Sequence, residues 1–167
     1  MNEDMKTYQE CFRKMFEICW KNNWGDPFSY ARSREILIAG LLGHKVAETY
    51  SGADGIQDED IEVEYKSTIG SKLSASYSGI SKKATWEEQV EYITNEKIGK
   101  YKYHYHARFE GPDIVEVWRL NGEELVPIIL QKIENQFYST KVKADPRLAC
   151  TISEKLIKKM GTEVCLT

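Results

Sequence analysis

The chain has 167 residues, a formal net charge of −3 at pH 7 and 41% hydrophobic side chains, values that are typical of a soluble globular domain. No stretch approaches the roughly 18 consecutive apolar residues of a transmembrane helix, so we expect no membrane partner. The four cysteines form no CxxC pair, and the first residues lack a signal-peptide pattern. We therefore expect reduced thiols and a cytoplasmic protein.

Charge is unevenly distributed along the sequence. Residues 1–64 carry 7 basic and 13 acidic side chains, whereas residues 65–167 carry 16 basic and 13 acidic ones. The net negative charge argues weakly against nucleic acid as a partner. The excess of basic side chains in the second part nevertheless suits a surface that binds phosphates, so a nucleic-acid partner stays open.

Two helices are predicted first. Residues 4–21 carry an apolar stripe that includes Phe12, Phe16 and Trp20, which predicts an amphipathic helix that packs on the core or forms a dimer. Asp26-Pro27 has the pattern of a helix cap followed by proline at the first helical position. The second helix is predicted to run from there to about Leu42 and to end at Gly43.

Strands and helices follow in a mixed order. The pattern predicts three short strands and then a helix from a Thr85–Glu88 capping box to about Ile98. Two strands, a helix, a strand and a last helix complete the chain. The three short strands are predicted at about 45–50, 61–67 and 73–78, and the later elements at 100–109, 113–120, 123–135, 147–152 and 153–160.

This order predicts one α/β (α+β) domain. Residues 1–25 would form an N-terminal helix and possible dimer element. Residues 28–110 would form the core of the domain. Residues 111–167 would add C-terminal strand and helix elements.

The chemistry begins with the run Ile61-Glu62-Val63-Glu64-Tyr65-Lys66, which alternates apolar and charged residues. A strand points alternate side chains to opposite faces. Ile61, Val63 and Tyr65 are therefore predicted to face a core, and Glu62, Glu64 and Lys66 to share the other face.

An acidic residue at a glycine turn precedes this strand. Gly52 and Gly55 lie on either side of Asp54, and glycine allows the backbone to turn tightly. We expect the chain to fold back and bring Asp54 near Glu64. Two carboxylates with water suit Mg²⁺, which prefers oxygen ligands. Bound Mg²⁺ can stabilise charge on a phosphate and activate water, and Lys66 would orient or deprotonate that water.

The acid-x-Lys triplet has little weight without its context. It occurs twice, at Asp4-Met5-Lys6 and at Glu64-Tyr65-Lys66, and only the second follows an acid at a glycine turn. The alternative interpretation is a solvated strand face with ordinary charges, and spacing alone does not separate the two.

With this context, the sequence resembles the PD-(D/E)XK endonuclease superfamily, whose common core is αβββαβ. The resemblance implies a mixed central sheet flanked by helices, with residues 28–110 as the catalytic core. The resemblance covers residues 30–110 in the order of elements, and three positions in the motif: Asp54, Glu64 and Lys66. Ala53 stands where the motif has proline, a loss that many members share. The nearest pattern is that of type II restriction endonucleases.

The resemblance implies a role for each of these residues. Asp54 and Glu64 would bind Mg²⁺, for which Mn²⁺ would substitute, and the backbone carbonyl of Tyr65 would add a ligand. Lys66 would position the attacking water. Glu35, in the second predicted helix, corresponds to an acid that some members use near the metal; the alternative is a surface glutamate beside an apolar face.

Polar and basic residues after the motif are candidates for DNA contact. Short hydroxyl side chains and lysines suit phosphates and base edges, and the 100–109 strand alternates basic or titratable residues with aromatic ones. A solvated polar surface is the alternative for both segments. The candidates are Lys72, Ser74, Ser76, Ser78, Lys82, Lys83, His104, His106 and Arg108.

Taken together, the sequence predicts a Mg²⁺-dependent, site-specific endonuclease that hydrolyses double-stranded DNA to 5′-phosphate and 3′-hydroxyl ends. A homodimer is expected, because two sites are needed to cut both strands. Two alternatives stay open: a repair, recombination or phage structure-specific nuclease of the same fold, and a non-catalytic DNA-binding module.

Overall fold

The computed structural model describes residues 2–48, 52–58, 60–140 and 146–166. The described residues form a mixed α+β structure with five α-helices and eight strands. The helices are α1 Glu3–Lys21, α2 Arg32–Leu42, α3 Trp86–Tyr92, α4 Gly122–Phe137 and α5 Glu154–Met160. The strands are β1 Lys45–Val46, β2 Gly55–Gln57, β3 Ile61–Ile69, β4 Ser74–Ile80, β5 Tyr103–Glu110, β6 Asp113–Asn121, β7 Leu148–Ser153 and β8 Thr162–Glu163.

Local capping fixes several helix ends as predicted. The Thr85 side chain accepts from the backbone N–H of Glu88, and the Glu88 carboxylate accepts from the backbone N–H of Thr85. The two bonds complete the capping box of α3. Gly43 ends α2 with a φ of 68°, a left-handed conformation that glycine adopts without steric cost.

The predicted start of the second helix is wrong. The Asp26 Oδ1 atom accepts from the N–H of Phe28 at 2.9 Å, but this bond closes a turn rather than a helix. The chain makes further turns through residues 27–31, where Tyr30 has a φ of 50°, and α2 begins only at Arg32.

The main sheet is mixed, as predicted, and has the strand order β1-β2-β3-β5-β6-β8. Neighbouring strands are antiparallel except for β3 and β5, which are parallel with Val63 opposite Tyr103 and Lys66 opposite His106. The parallel pair is joined by a crossover that contains α3. The main sheet thus takes three strands from before α3 and three from after it.

A second, two-stranded sheet is made by β4 and β7, which the sequence did not predict. The expected 73–78 strand exists as β4, but it pairs with β7 outside the main sheet. The strands β2 and β8, with three and two residues, were not predicted. The expected 45–50 strand is confirmed only at 45–46, and residues 49–50 lie outside the described residues.

Hydrophobic side chains form a cluster on each face of the main sheet. On one face, α2 covers Val63 and Tyr65 of β3 together with Ala107 and Phe109 of β5. On the other face lie the second sheet, α3, α4 and α5, with a larger buried cluster. Because β5 is covered on both faces, it is a central strand rather than a surface strand.

The N-terminal helix α1 packs little on the rest of the protein. Of its 19 residues only Cys19 is buried. Its large apolar side chains stay exposed, although the Phe12 ring stacks on Phe28 with the ring centroids 3.7 Å apart. No helix within the described ranges is long and apolar enough to cross a membrane.

Candidate active site

The turn before β2 brings Asp54 against β3. The Asp54 N–H donates to the Val63 carbonyl at 3.0 Å, and its Oδ2 atom accepts from the Tyr65 N–H at 2.7 Å. A Cβ at Gly55 would lie 2.1 Å from the Tyr65 hydroxyl, so only glycine lets the turn approach β3 this closely. The predicted glycine turn is therefore present, with a packing role at Gly55.

The alternation predicted for β3 is confirmed. Val63 and Tyr65 are buried under α2, whereas Glu64 and Lys66 lie on the opposite face. The Lys66 ammonium donates to Glu64 Oε1 and, at 3.3 Å, to the Tyr65 carbonyl. Glu62, on the same face, pairs instead with Lys100 at 3.3 Å.

The Asp54 carboxyl titrates far from its usual range. Burial first, and then the charges of Glu64 and Glu35, raise its pKa to about 7, although Lys66 and the Tyr65 N–H oppose the shift. The charges of Glu64 and Lys66 on β3 thus act on the Asp54 carboxyl across the turn.

Lys66 is a cation in this environment. Burial acts to lower the pKa of Lys66, but Glu64, Asp54 and Glu35 outweigh burial and raise the pKa above its ordinary value. The ammonium lies 5.4 Å from the centroid of the Tyr77 ring, within the range of a cation–π contact. Lys66 is thus placed to donate hydrogen bonds, not to accept a proton.

Glu35 is neither fully exposed nor a direct partner of the motif. Its carboxylate lies 3.3 Å from the guanidinium of Arg32 and its side chain is 17% exposed. It nevertheless raises the pKa of Asp54. Glu35 is therefore a partly buried glutamate paired with Arg32, and its role near a metal stays a prediction.

The donor chemistry of the site fits Mg²⁺. Among the described residues, no group of three or more His, Cys, Asp or Glu side chains is arranged to hold a metal ion. The candidate ligands are two carboxylates, from Asp54 and Glu64, and the carbonyl oxygen of Tyr65. An oxygen-only set of this size is what Mg²⁺ accepts when water completes its coordination, and a cation would offset both the burial and the acidic neighbours that raise the pKa of Asp54.

A narrow cleft of about 60 Å³ opens beside Glu64 and Lys66. Ser76, Tyr77, Ser78 and Ile80 of β4 also line the cleft, together with Lys97 and Ile98. Lys97 was not predicted as a site residue, because nothing in its spacing distinguishes it from other lysines on a helix. The serines were predicted to contact DNA, and the structure places them in the cleft beside the motif.

Beneath the cleft, Tyr77 is hydrogen-bonded to two buried histidines. The Tyr77 hydroxyl lies 3.1 Å from His104 Nδ1 and 2.9 Å from His106 Nε2. His104 Nε2 lies 3.0 Å from the Ile98 carbonyl. Burial lowers the pKa of His104 to about 4. Burial, together with the charges of His104 and Lys66, lowers the pKa of His106 to about 3.

Neutral histidines fix the direction of these hydrogen bonds. A carbonyl oxygen only accepts, so His104 Nε2 donates to Ile98 and His104 Nδ1 accepts from the Tyr77 hydroxyl. The Tyr77 oxygen then accepts from His106 Nε2. The remaining ring nitrogen, His106 Nδ1, is buried with no hydrogen-bond partner among the described residues.

The predicted DNA-facing side of the 100–109 strand is wrong. His104 and His106 are 0% exposed, because β5 is covered on both faces. Arg108, farther along β5, binds Glu110 and, at 2.5 Å, Glu116, so its charge is already neutralised by carboxylates. None of the three is available to DNA in this structure.

The other predicted DNA contacts lie on and around β4. Ser76 and Ser78 are exposed, whereas Ser74 is half-buried and its N–H donates to Thr68 Oγ1 at 3.2 Å. Lys72 is exposed in the loop before β4. After β4, the Lys82 and Lys83 ammonium groups lie over the rings of Phe137 and Tyr92, at 5.1 and 4.1 Å.

The sequence matches no protein-family model and no curated protein. The interpretation of the site therefore depends on its own geometry.

Proposed function

We propose that this protein is a Mg²⁺-dependent endonuclease of the type II restriction type, acting on double-stranded DNA. One observation carries the proposal: the Asp54 carboxylate accepts from the Tyr65 N–H at 2.7 Å, which holds it against β3 at the residue between Glu64 and Lys66. Two carboxylates and an ammonium group suit metal-assisted phosphodiester hydrolysis.

The order of elements supports the proposal. Starting from α2, the main sheet receives β1, β2 and β3, then the chain passes through α3 and returns as β5. Within the main sheet this order agrees with the helix, three strands, helix, strand order expected of a PD-(D/E)XK core. The agreement counts β2 as the second strand and leaves out β4, the predicted third strand, which pairs with β7 in the other sheet.

The side chains divide the work in the proposed reaction. Mg²⁺, bound by Asp54, Glu64 and the Tyr65 carbonyl, would stabilise negative charge on the phosphate. The Lys66 ammonium donates hydrogen bonds and orients the attacking water. Water adds to phosphorus as the bond to the 3′ oxygen breaks, which leaves 5′-phosphate and 3′-hydroxyl ends.

Digestion of a phage genome with purified protein tests the activity. We expect fragments with 5′-phosphate ends at a fixed sequence when Mg²⁺ or Mn²⁺ is present, and intact DNA when the cations are chelated. Sequencing of the fragment ends is the measurement. Cuts only at branched or damaged DNA would favour a repair, recombination or phage nuclease. Binding without cleavage under every metal condition would favour a non-catalytic module.

A homodimer built on α1 is part of the proposal. Met15 and Ile18 of α1 line a groove together with Leu37 of α2, which is 51% exposed. The groove has a volume of about 280 Å³ and is lined almost wholly by apolar atoms. Exposed apolar patches of this kind mark interaction sites, and cutting both strands requires two copies.

Sedimentation velocity tests this surface. The wild-type protein should sediment at about twice the chain mass of 19.3 kDa. Phe16→Glu/Trp20→Glu should shift it to the monomer, because both rings are solvent-exposed on α1 and charges there oppose burial. Ile69→Glu, at an exposed position on β3, is the control and should leave the mass unchanged. A monomeric wild-type protein at micromolar concentration contradicts the dimer.

A further inference from the structure

Lys97 is placed by an unusual stretch of backbone. Residues Ile93–Lys97 continue α3 as a π-helix, in which the N–H groups of Ile98 and Gly99 both donate to the Ile93 carbonyl, at 2.9 and 3.1 Å. A Cβ at Gly99 would lie 2.3 Å from the Thr94 carbonyl oxygen, so the segment closes only with glycine there. Such π-helical turns occur frequently at functional sites.

The backbone beside Lys97 is fixed by burial and hydrogen bonding. Ile93 and Ile98 are 0% and 1% exposed, and the Ile98 carbonyl accepts from His104 at 3.0 Å. Lys97 itself is half-buried at the edge of the cleft, whereas its neighbours Asn95 and Glu96 are exposed. The anchored segment therefore holds one lysine toward the cleft.

The cleft offers the partners of a phosphate group. Lys66 is paired with Glu64, whereas Lys97 makes no ion pair within the described residues. Ser76 and Ser78, which carry hydroxyl groups, also line the cleft. Ammonium and hydroxyl donors are the groups with which proteins bind DNA phosphates. The cleft volume of about 60 Å³ is small beside the roughly 300–1,000 Å³ of sites for whole small molecules.

We infer that Lys97, with Ser76 and Ser78, binds a backbone phosphate of the DNA strand next to the phosphate that is cleaved. This inference rests on the proposed nuclease function. It adds a residue outside the metal motif that contacts the substrate, and it explains why a hydroxyl-bearing strand from the second sheet faces Glu64 and Lys66. Lys97 would fix the position of the strand while Asp54 and Glu64 act on the adjacent phosphate.

Lys97→Met tests the inference through DNA binding and cleavage. Binding of a fluorescein-labelled duplex, measured by anisotropy without divalent cations between about 50 and 200 mM salt, should weaken about tenfold. The slope of log K against log salt should decrease by about one, because one phosphate contact is lost. With Mg²⁺, KM should rise about tenfold while kcat changes less than about threefold.

Two further variants separate a phosphate contact from a structural role. Lys97→Arg keeps the charge and should restore most of the affinity and the salt slope. Lys155→Met, at an exposed position on α5, should match the wild-type protein. Because the Lys97 side chain is only half-buried, Lys97→Met should melt within a few degrees of the wild type.

The outcomes distinguish this inference from the proposed function. If the wild-type protein cleaves DNA and Lys97→Met keeps its affinity and salt slope, the inference is wrong and the nuclease assignment stands. If the wild-type protein neither binds nor cleaves DNA, both are wrong. Calorimetry with inorganic phosphate tests whether the cleft binds a free anion. If the wild-type protein binds phosphate tightly and Lys97→Met does not, the ligand of the cleft is a free anion and not DNA.

Discussion

The double substitution Glu64→Gln/Lys66→Met is expected to lower the rate of DNA cleavage by at least about 10³-fold, equivalent to about 4 kcal/mol of activation free energy. It removes one proposed metal ligand and the ammonium that is proposed to orient water. Changing both partners avoids leaving one buried charge without its counter-ion. Methionine also keeps an apolar contact with the Tyr77 ring, so the fold should persist.

The control is a second Glu–Lys pair, in which the glutamate, Glu62, lies on the same face of β3 as Glu64. Glu62 and Lys100 lie 3.3 Å apart and are 48% and 40% exposed, whereas Glu64 and Lys66 are 16% and 22% exposed. Glu62→Gln/Lys100→Met should keep cleavage within about threefold of wild type, because exposed pairs contribute little. Single-turnover cleavage of a supercoiled plasmid measures both. Full activity of Glu64→Gln/Lys66→Met would remove the site assignment.

Asp54→Asn is expected to stabilise the metal-free protein at pH 8 by on the order of 2 kcal/mol. Burial, with Glu64 and Glu35, raises the pKa of Asp54 from 3.8 to about 7. At pH 8 the folded wild-type protein therefore contains an ionised carboxylate that is destabilised by its surroundings. Asparagine carries no charge and can still accept from the Tyr65 N–H.

The sign of the pH dependence follows from the raised pKa. The contribution of Asp54 to the free energy of unfolding is fully present below pH 3.8 and is lost as the pH rises toward about 7. The advantage of Asp54→Asn should therefore be smaller at pH 5 than at pH 8. His104 and His106, whose lowered pKa values reduce stability in acid, are common to both proteins and cancel in the comparison.

Urea denaturation at the two pH values, with and without Mg²⁺, measures these effects. Mg²⁺ should stabilise the wild-type protein, because a ligand that binds only the folded state shifts unfolding. It should have little effect on Asp54→Asn, which lacks one of the two carboxylates. If the wild-type protein is more stable than Asp54→Asn at pH 8 without Mg²⁺, the ionised Asp54 carboxylate does not destabilise the folded protein and this prediction is wrong. Equal responses of both proteins to Mg²⁺ contradict the metal site.

Sequence patterns predicted the parts of the site that depend on local rules. The alternation of β3 placed Val63 and Glu64 on opposite faces, since a nine-residue strand is long enough for the period of two to show. The capping box of α3 and the glycine at the end of α2 were recognised from side-chain chemistry alone. The Asp54 turn was found because glycine stands on either side of it.

Other features depend on tertiary packing and were missed or misassigned. Strand β2 has three residues, too few for any periodicity. His104 and His106 alternate with aromatic residues, which indicated a solvent face; only the second sheet, packed on that side, buries them. The π-helical position of Lys97 depends on Gly99 closing against Thr94, a contact that no spacing rule encodes.

The Tyr77 hydroxyl joins the two sheets, since it lies on β4 and bonds to two side chains of β5. The same chain of bonds continues through His104 to the carbonyl of Ile98, next to Lys97. The hydrogen bonds of His104 therefore connect β4, which carries Ser76 and Ser78, to the π-helical segment that carries Lys97. A DNA strand bound as proposed would enter a cleft whose two sides are already held in place, so the conformational entropy of ordering them is lost on folding and not on binding.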